Sequence, residues 1–287
     1  MEMDKKVLAC VDRSHFADHV ADYAIWAAQR LKAPLKFLHV IDHHPEIGSG
    51  EDHSGAIGFN AQEVLLKQLS DADAQKAHAA HESGRLFLNR LRERALAAAG
   101  VAPDMKQRHG ELEETLVGLE AEVELFVWGR RGESSETAPR KLGRNVENVV
   151  RALRTPILSV TDDFREPRRA MIAFDGGSLT RRAVEYVAAS PLFDGQAIHV
   201  LMAGQEKRDN PKQMAWAEEK LAAAGREVVP LLIPGEVGGV IARTIEERDI
   251  DLLVMGAYAH SPLRSLLFGC MTNTMLCSSG IPTLLMR

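Results

Sequence analysis

The sequence has few cysteines and aromatic residues and no long apolar run. Its three cysteines, Cys10, Cys270 and Cys277, are widely separated and form no C-x-x-C pair. This usage is typical of a reducing compartment and argues against a disulfide framework or a zinc ribbon. No stretch approaches the roughly 18 apolar residues of a membrane-spanning helix, and the opening MEMDKKVLACVD lacks the pattern of a secretory signal. We therefore expect a cytoplasmic protein with no membrane partner.

A strong charge of one sign is also absent. The net charge of −5 provides no general attraction to nucleic acid, so no nucleic-acid partner is expected. The sequence contains no G-x-S-x-G, H-E-x-x-H or Walker motif. Because no pair of a general acid and a general base is evident either, we predict that the protein is not an enzyme.

Four segments recur in the same order in the two parts of the chain. KKVLACVDRS is similar to RRAMIAFDGGS, LKFLHVI to QAIHVLM, VELFVWGRRG to IDLLVMGAYA, and RTPILSV to GIPTLLM. The matched residues are Asp12 with Asp175, His39 with His199, Gly129 with Gly256, and Pro156 with Pro282. Their separations are 163, 160, 127 and 126 positions, so the first repeat carries about 33 extra residues after its second strand. We place this insertion at about 42–75 and predict a longer helix there than in the second repeat.

Short apolar runs alternate with helical patterns in both repeats. This alternation predicts two doubly wound, Rossmann-like α/β domains, each with a five-stranded parallel sheet and helices on both faces. The polar segment TDDFREPRR (161–169) is the linker, which gives domains at 1–162 and 163–287. Ser14 and Ser178 are predicted to cap the first helix of each repeat. The predicted strands are 5–12, 34–41, 104–109, 123–129, 156–161, 169–175, 196–202, 227–233, 250–256 and 282–286.

Ligands of such sheets bind beyond the carboxyl ends of the strands, where the strand order reverses. Three features meet there in each repeat: the aspartate after strand one, the end of strand two and the glycine segment after strand four. An aspartate at that place also serves as a turn residue. Both interpretations of Asp12 and Asp175 stay open.

These segments resemble the universal stress protein family in its tandem two-domain form, over nearly the whole chain. In the nucleotide-binding members, a G-x-x-G segment, nine residues and then G-[ST] hold ribose and phosphates, while the strand-one aspartate and the end of strand two contact adenosine. The resemblance implies ATP or another adenine nucleotide as ligand, without a metal. It assigns Asp12, Val40, Gly129, Gly132, Gly143 and Arg144 to the first site, and Asp175, Val200, Gly256, Ala259, Gly269 and Cys270 to the second.

Each repeat departs from the family pattern at a different place. Ala259 replaces the second glycine and Cys270 the hydroxyl residue of the second repeat, whereas Arg144 replaces that hydroxyl residue in the first. Main-chain N–H groups can still hold an anion, whatever the side chains are. The first glycine segment also carries five cations that can bind phosphate or form a solvated loop: Arg130, Arg131, Arg140, Lys141 and Arg144.

Two further segments bear on function. The histidine-rich stretch DHHPEIGSGEDH within the insertion is either a solvated loop or a metal site. The last strand of each repeat, in TPILSVT and IPTLLMR, is apolar at nearly every position. The family topology makes both of them edge strands that pair antiparallel, here within one chain as an internal pseudo-dimer; two chains can then associate as a homodimer.

We therefore predict a stress-response protein that binds or senses adenine nucleotides and has no dedicated catalytic site. A first alternative is a ligand-free interaction scaffold whose degenerate glycine segments keep only a structural role. A second alternative is a metal-binding hydrolase that uses the histidine-rich stretch.

Overall fold

The computed structural model describes residues 5–41, 59–100, 102–130, 146–161, 163–205, 208–257 and 279–287. In each repeat, strands alternate with helices, and all ten predicted strands are present. The first repeat contains β1 (Lys6–Cys10), α1 (Ala17–Leu31), β2 (Leu35–Ile41), α2 (Phe59–Ala99), β3 (Asp104–His109), α3 (Leu112–Val117), β4 (Val123–Gly129), α4 (Val146–Ala152) and β5 (Ile157–Val160). The second contains β6 (Arg169–Ala173), α5 (Ser178–Ala189), β7 (Ala197–Gly204), α6 (Asn210–Ala223), β8 (Glu227–Pro234), α7 (Val237–Glu247), β9 (Leu252–Gly256) and β10 (Thr283–Met286).

The ten strands form one sheet in the order β3-β2-β1-β4-β5-β10-β9-β6-β7-β8. Neighbouring strands within each repeat are parallel, as the α/β fold class predicts. The last strands of the two repeats, β5 and β10, are antiparallel, with Leu158 opposite Leu284. The same strand order therefore runs outward from this central pair in both repeats.

The sheet separates two apolar cores, one on each face. Successive residues of a strand point to opposite faces, so Val7 belongs to one core and its neighbour Leu8 to the other. The first core lies under α1, α2, α5 and α6, and the second lies under α3, α4 and α7. Both cores contain residues of both repeats. Full burial of a leucine contributes about 1.5–3 kcal/mol, so these continuous cores stabilise the joined sheet.

Strand register shows that the sequence match between His39 and His199 is wrong by three positions. The β1–β2 pair places Cys10 opposite Leu38, and the β6–β7 pair places Ala173 opposite Leu201. Leu38 and Leu201 are thus equivalent, at the same separation of 163 as Asp12 and Asp175. The true counterpart of His39 is Met202. The shared His-Val dipeptide favoured the wrong match because the residues around it in both strands are mostly apolar.

The two predicted serine caps are also wrong. Helix α1 begins at Ala17 with Phe16 in the cap position, and Ser14 Oγ instead donates a hydrogen bond to Asp12 Oδ1 at 2.5 Å. Ser178 is the first residue of α5, so Gly177 is the cap residue. The Ser14 hydroxyl can hydrogen-bond either to a charged carboxylate or to a neutral helix N–H group. The bond to the carboxylate is the stronger of the two, so Asp12 orients the Ser14 side chain.

Helix α2 has 41 residues, whereas its counterpart α6 has 14. The longer helix predicted for the first repeat is therefore present. Part of the insertion, 42–58, lies outside the described residues. Among the helices of the described ranges, none combines the length and apolarity needed to cross a membrane.

The linker between the repeats packs on α1. Tyr23 donates its hydroxyl hydrogen to the main-chain oxygen of Asp163 at 3.0 Å and accepts from the main-chain N–H of Arg165 at 3.3 Å. The ring of Phe164 stands edge-on to the Tyr23 ring, with centroids 4.8 Å apart. This polar-looking segment is therefore fixed to the first repeat by one buried tyrosine.

Candidate functional site

The candidate sites lie at the carboxyl ends of the central strands of each repeat. In the first repeat, β1 is flanked by β2 and β4, and the chain order reverses between β1 and β4. In the second repeat, the reversal lies between β6 and β9. Such reversals open a crevice at the carboxyl edge of a parallel sheet. We call these places the first corner, which includes Asp12 and Gly129, and the second corner, which includes Asp175 and Gly256.

Asp12 and Asp175 occupy equivalent positions. Each lies two residues beyond its strand, since β1 ends at Cys10 and β6 ends at Ala173. Asp12 Oδ1 accepts hydrogen bonds from the N–H of Ser14, at 3.1 Å, and from its hydroxyl. This bond pattern is an Asx turn, so the structural role of this aspartate is real.

Asp175 makes the same turn with different partners. Its Oδ1 accepts from the N–H of Gly177 at 2.8 Å and from Thr180 Oγ1 at 2.6 Å. Gly176 has a φ of +77°, a conformation that side chains rarely adopt. Asp175 is exposed, and its Oδ2 makes no hydrogen bond to any part of the chain that the structure describes. One carboxylate oxygen thus shapes the turn, and the other is left without a hydrogen-bond partner among the described residues.

The two valines assigned to the end of the second strand, Val40 and Val200, lie at different places in their strands. Val40 lies next to Ile41, the last residue of β2, and is half-buried. Val200 lies inside β7 and is fully buried in the core under α5 and α6. The assignment of Val200 to a strand end is therefore corrected: the counterpart of Val40 is Ala203. A slip of three residues also moves the side chain to the other face of the sheet.

The strand-four glycines lie where the sequence places them. Gly129 ends β4 opposite Val160, and Gly256 ends β9 opposite Met286. A Cβ atom on Gly256 would come within 2.8 Å of Leu179 Cδ2 in α5. Gly256 therefore has a packing role in addition to any ligand role. The remaining predicted residues lie outside the described residues: Gly132, Gly143, Arg144, Ala259, Gly269 and Cys270.

A fifth repeated feature near the corners was missed by the sequence comparison. Gly110 and Gly235 follow β3 and β8 with φ values of +127° and +142°. Their N–H groups donate to the main-chain oxygens at the ends of β2 and β7, Ile41 and Gly204, at 3.2 and 3.3 Å. The signal was the dipeptide Gly-Glu, which occurs in both repeats 125 positions apart. These turns close the outer side of each corner.

The glutamate after Gly235 caps a helix in the second repeat. Glu236 accepts hydrogen bonds from the N–H groups of Gly238, at 2.8 Å, and Gly239, at 2.5 Å. These main-chain donors hold the pKa of the Glu236 carboxyl below its usual value. Its counterpart Glu111 stands at the cap of α3 without such a side-chain bond.

Arg130 does not serve the first corner in the way that the basic glycine segment suggests. It is 6% exposed, and its guanidinium donates to the second repeat: to the main-chain oxygens of Ser279 and Ile281, and to Thr283 Oγ1 at 2.7 Å. The other four cations of the segment lie outside the described residues. The interpretation of all five cations as a phosphate cluster or a solvated loop is therefore wrong for Arg130.

A cation borders the second corner instead. Arg181 of α5 donates from Nε to the main-chain oxygen of Gly176 at 3.1 Å, and its Nη2 donates to Gln213 Oε1. Its guanidinium carbon lies 4.2 Å from the centre of the Trp216 ring. This cation–π contact fixes a positive charge beside the Asp175 turn.

Cys10 lies under the first corner at the end of β1 and packs on the core. Burial raises its pKa to about 12, so it remains a neutral thiol at pH 7. Within the ranges that the structure covers, no three histidine, cysteine or carboxylate side chains lie close enough to hold a metal. The histidine-rich stretch of the insertion lies outside those ranges.

The geometry defines a class of protein: two doubly wound α/β repeats, each with an aspartate and a glycine at the carboxyl ends of its central strands. The profile of the universal stress protein family matches residues 3–161 and 190–287. The chain belongs to the universal stress protein family, in its tandem form.

Individual relatives agree with this assignment. The chain is 31% identical to the universal stress protein Slr1230 of Synechocystis sp. over 287 residues, which covers 99% of this chain and 100% of the relative. Its fold is similar to that of a universal stress protein from Archaeoglobus fulgidus, with a TM-score of 0.69 and 16% identity, over 99% of this chain and 97% of the other. A protein of unknown function from Pseudomonas aeruginosa, PA1789, gives a TM-score of 0.59 at 16% identity, with 99% and 92% covered.

Proposed function

We propose that the protein binds an adenine nucleotide at one or both corners and acts as a stress sensor without a dedicated catalytic site. The observation that carries the proposal is the repeated corner itself. In both repeats, an aspartate two residues beyond the first strand stands beside a glycine that ends the fourth strand. Duplication alone explains the shared turns, but it does not require that Asp175 be exposed, with an Oδ2 that accepts no hydrogen bond from the described residues.

The chemistry of the second corner supports this ligand class. Asp175 Oδ2, which has no hydrogen-bond partner in the described ranges, can accept hydrogen bonds from ribose hydroxyls or an adenine amino group. Arg181, fixed beside the turn, favours an anionic ligand. Glycine at the end of β9 allows a ligand to approach the main chain closely.

The domain boundaries that we propose are 1–162 and 163–287, with the linker packed on Tyr23. We further propose that the β5–β10 pair joins these domains in solution, as an internal pseudo-dimer in the cytoplasm. Two such chains can still associate as a homodimer. Light scattering on the purified chain separates a monomer from a dimer.

The test of nucleotide binding begins with the purified chain. Acid denaturation, followed by chromatography of the supernatant, is expected to release ATP, ADP or AMP. An empty protein should instead show a thermal shift on addition of ATP. No released nucleotide and no shift would leave the ligand-free scaffold as the better account.

Matched variants test the corner. Asp175→Asn keeps an oxygen that can accept from Gly177 and Thr180, but it removes the charge. Hydrogen bonds to charged groups contribute about 1.5–3 kcal/mol, so ATP affinity at this corner should fall about tenfold or more. Asp249→Asn, at an exposed ion pair with Arg169, is the control and should bind like the wild type.

A further inference from the structure

Arg130 lies directly after Gly129 of the first corner, yet its side chain contacts the second repeat. It reaches two main-chain oxygens before β10, those of Ser279 and Ile281, and the Thr283 hydroxyl at the start of β10. Hydrogen bonds from a charged donor are stronger than neutral ones. A buried cation that loses its partners is also costly, so the contact resists opening.

The contact is made on one side of the pseudo-dimer only. When the repeats are aligned on their strand-four glycines and final prolines, Arg130 corresponds to Ala257 and Thr283 to Ile157. Ala257 and Ile157 are both buried in the same apolar core. One side therefore has a polar pair and the other an apolar pair at equivalent places.

Strand β10 connects the two corners. The hydroxyl of its first residue, Thr283, accepts a hydrogen bond from Arg130. Its last residue, Met286, pairs with Gly256, and the main-chain oxygen of Met286 accepts from the Ala257 N–H at 2.8 Å. Because β5 and β10 are antiparallel, β10 starts at the edge of the sheet that carries the first corner and ends at the edge that carries the second. Because the strand has only four residues, we expect a displacement of Thr283 to move Met286 at the other end as well.

We propose that Arg130 couples the two corners through β10. Arg130 is a positioning residue: a ligand that orders the main chain at Gly129 also fixes Arg130, β10 and, at the far end, Gly256. The role of the ligand rests on the proposed function. Coupling between two sites is reciprocal, so one contact carries it in both directions, and typical couplings change affinity about 5- to 150-fold.

The ligand-free chain gives the first test, by hydrogen exchange. Arg130→Met should accelerate exchange of the Leu284, Leu285 and Ala257 amides about tenfold or more. Thr283→Val, which keeps the main-chain bonds, should have a smaller effect in the same direction and remains informative where Arg130→Met does not fold. Unchanged exchange at β10 in both variants would overturn the proposal.

Arg226→Met is the matched control. The Arg226 side chain is 10% exposed and donates to the main-chain oxygens of Ala188 and Ser190 within the second repeat. This variant removes a similarly buried arginine without touching the β5–β10 pair. It should accelerate exchange near those two residues and leave β10 unchanged; equal acceleration of β10 by Arg226→Met and Arg130→Met would show general destabilisation and reject coupling.

ATP gives the second test. Because Asp175→Asn weakens the second corner, ATP should occupy mainly the first corner in this variant. Its binding there should slow exchange of the distant Ala257 amide about fivefold. The slowing should disappear with Arg130→Met and persist with Arg226→Met. Bound ATP without any slowing would overturn the coupling and leave the proposed function intact. If ATP binds to neither this chain nor the wild type, the proposed function fails, and the ligand-free exchange alone decides the role of Arg130.

Discussion

Leu158 of β5 lies directly opposite Leu284 of β10, and both side chains are fully buried. The two leucines are 126 positions apart, the separation of the last strands in the repeats. The pseudo-twofold axis of the molecule therefore passes beside this pair. Each repeat covers the apolar edge strand of the other, and neither edge is left to pair with another chain.

The first prediction concerns this central pair. Leu284→Ala should lower the free energy of unfolding by about 2–5 kcal/mol, because it leaves a cavity in a core shared by both repeats. Leu86→Ala is the control, since Leu86 is 60% exposed on α2 and should change stability by less than about 0.5 kcal/mol. Urea denaturation of both variants measures the difference. Equal midpoints would show that the β5–β10 pair does not hold the domains together.

Helix packing against the second corner gives the second prediction. Gly256→Ala places a methyl group 2.8 Å from Leu179 Cδ2, so the Leu179 side chain must move, and the repacking against α5 should cost about 1 kcal/mol or more. Gly280→Ala is the matched control because no heavy atom of the residues that the structure describes lies within 4 Å of the added Cβ. Thermal unfolding should separate the two variants. A Gly256→Ala chain as stable as the control would contradict a packing role for this glycine.

The fold could be predicted from the sequence because its signals are local and repeated. Apolar runs such as VLAC and LLVM, spaced by amphipathic helices, indicate buried parallel strands, and the duplication provided a second reading of each. The position of Asp12 and Asp175 beyond strand one followed from the same repetition. The strands, and the places of the two aspartates and the strand-four glycines, were therefore predicted well.

Features that depend on distant partners could not be predicted. Arg130 looked like one of five loop cations, but its acceptors, beginning with Ser279, are about 150 positions away and were not visible in the sequence. The register of β7 could not be set from the dipeptide His-Val, and Val200 was misplaced as a result. Ser14 is a different case, because its partner Asp12 is close in sequence: the hydroxyl donates to the Asp12 carboxylate, and this choice of partner depends on local geometry that the sequence pattern does not show.

The third prediction is a dependence of stability on pH at the cap of α7. The pKa of Glu236 is lowered in the folded chain from an ordinary value of 4.5, so the unfolded chain binds a proton more readily. This contribution is complete above pH 4.5 and is lost as the pH falls through the folded pKa. Glu236→Gln should therefore reduce the loss of stability between pH 5 and pH 3.

The counterpart residue in the first repeat gives the control for this cap. Glu111→Gln removes a carboxylate that makes no cap bond, so it should leave the α7 cap and the pH dependence of that cap as they are in the wild type. Urea midpoints at pH 6 and pH 3 suffice for the comparison. Identical behaviour of the two glutamine variants would mean that the Gly238 and Gly239 bonds do not stabilise the folded state.

The last prediction concerns the thiol beneath the first corner. With its pKa raised to about 12 by burial, Cys10 is almost entirely protonated at pH 8, whereas an ordinary cysteine is about one-quarter thiolate. Alkylation by iodoacetamide requires the thiolate, so Cys10 in the folded chain should react about a thousand times more slowly than in the urea-unfolded chain. The rate should also rise about tenfold per pH unit up to pH 10, since the thiolate fraction does. Mass spectrometry of the peptide that contains Cys10 provides the rate, and the same peptide in urea is the internal control. Rapid modification of the folded chain at pH 8 would show that this end of β1 opens to solvent, and the first corner would then be a less rigid platform than its hydrogen bonds indicate.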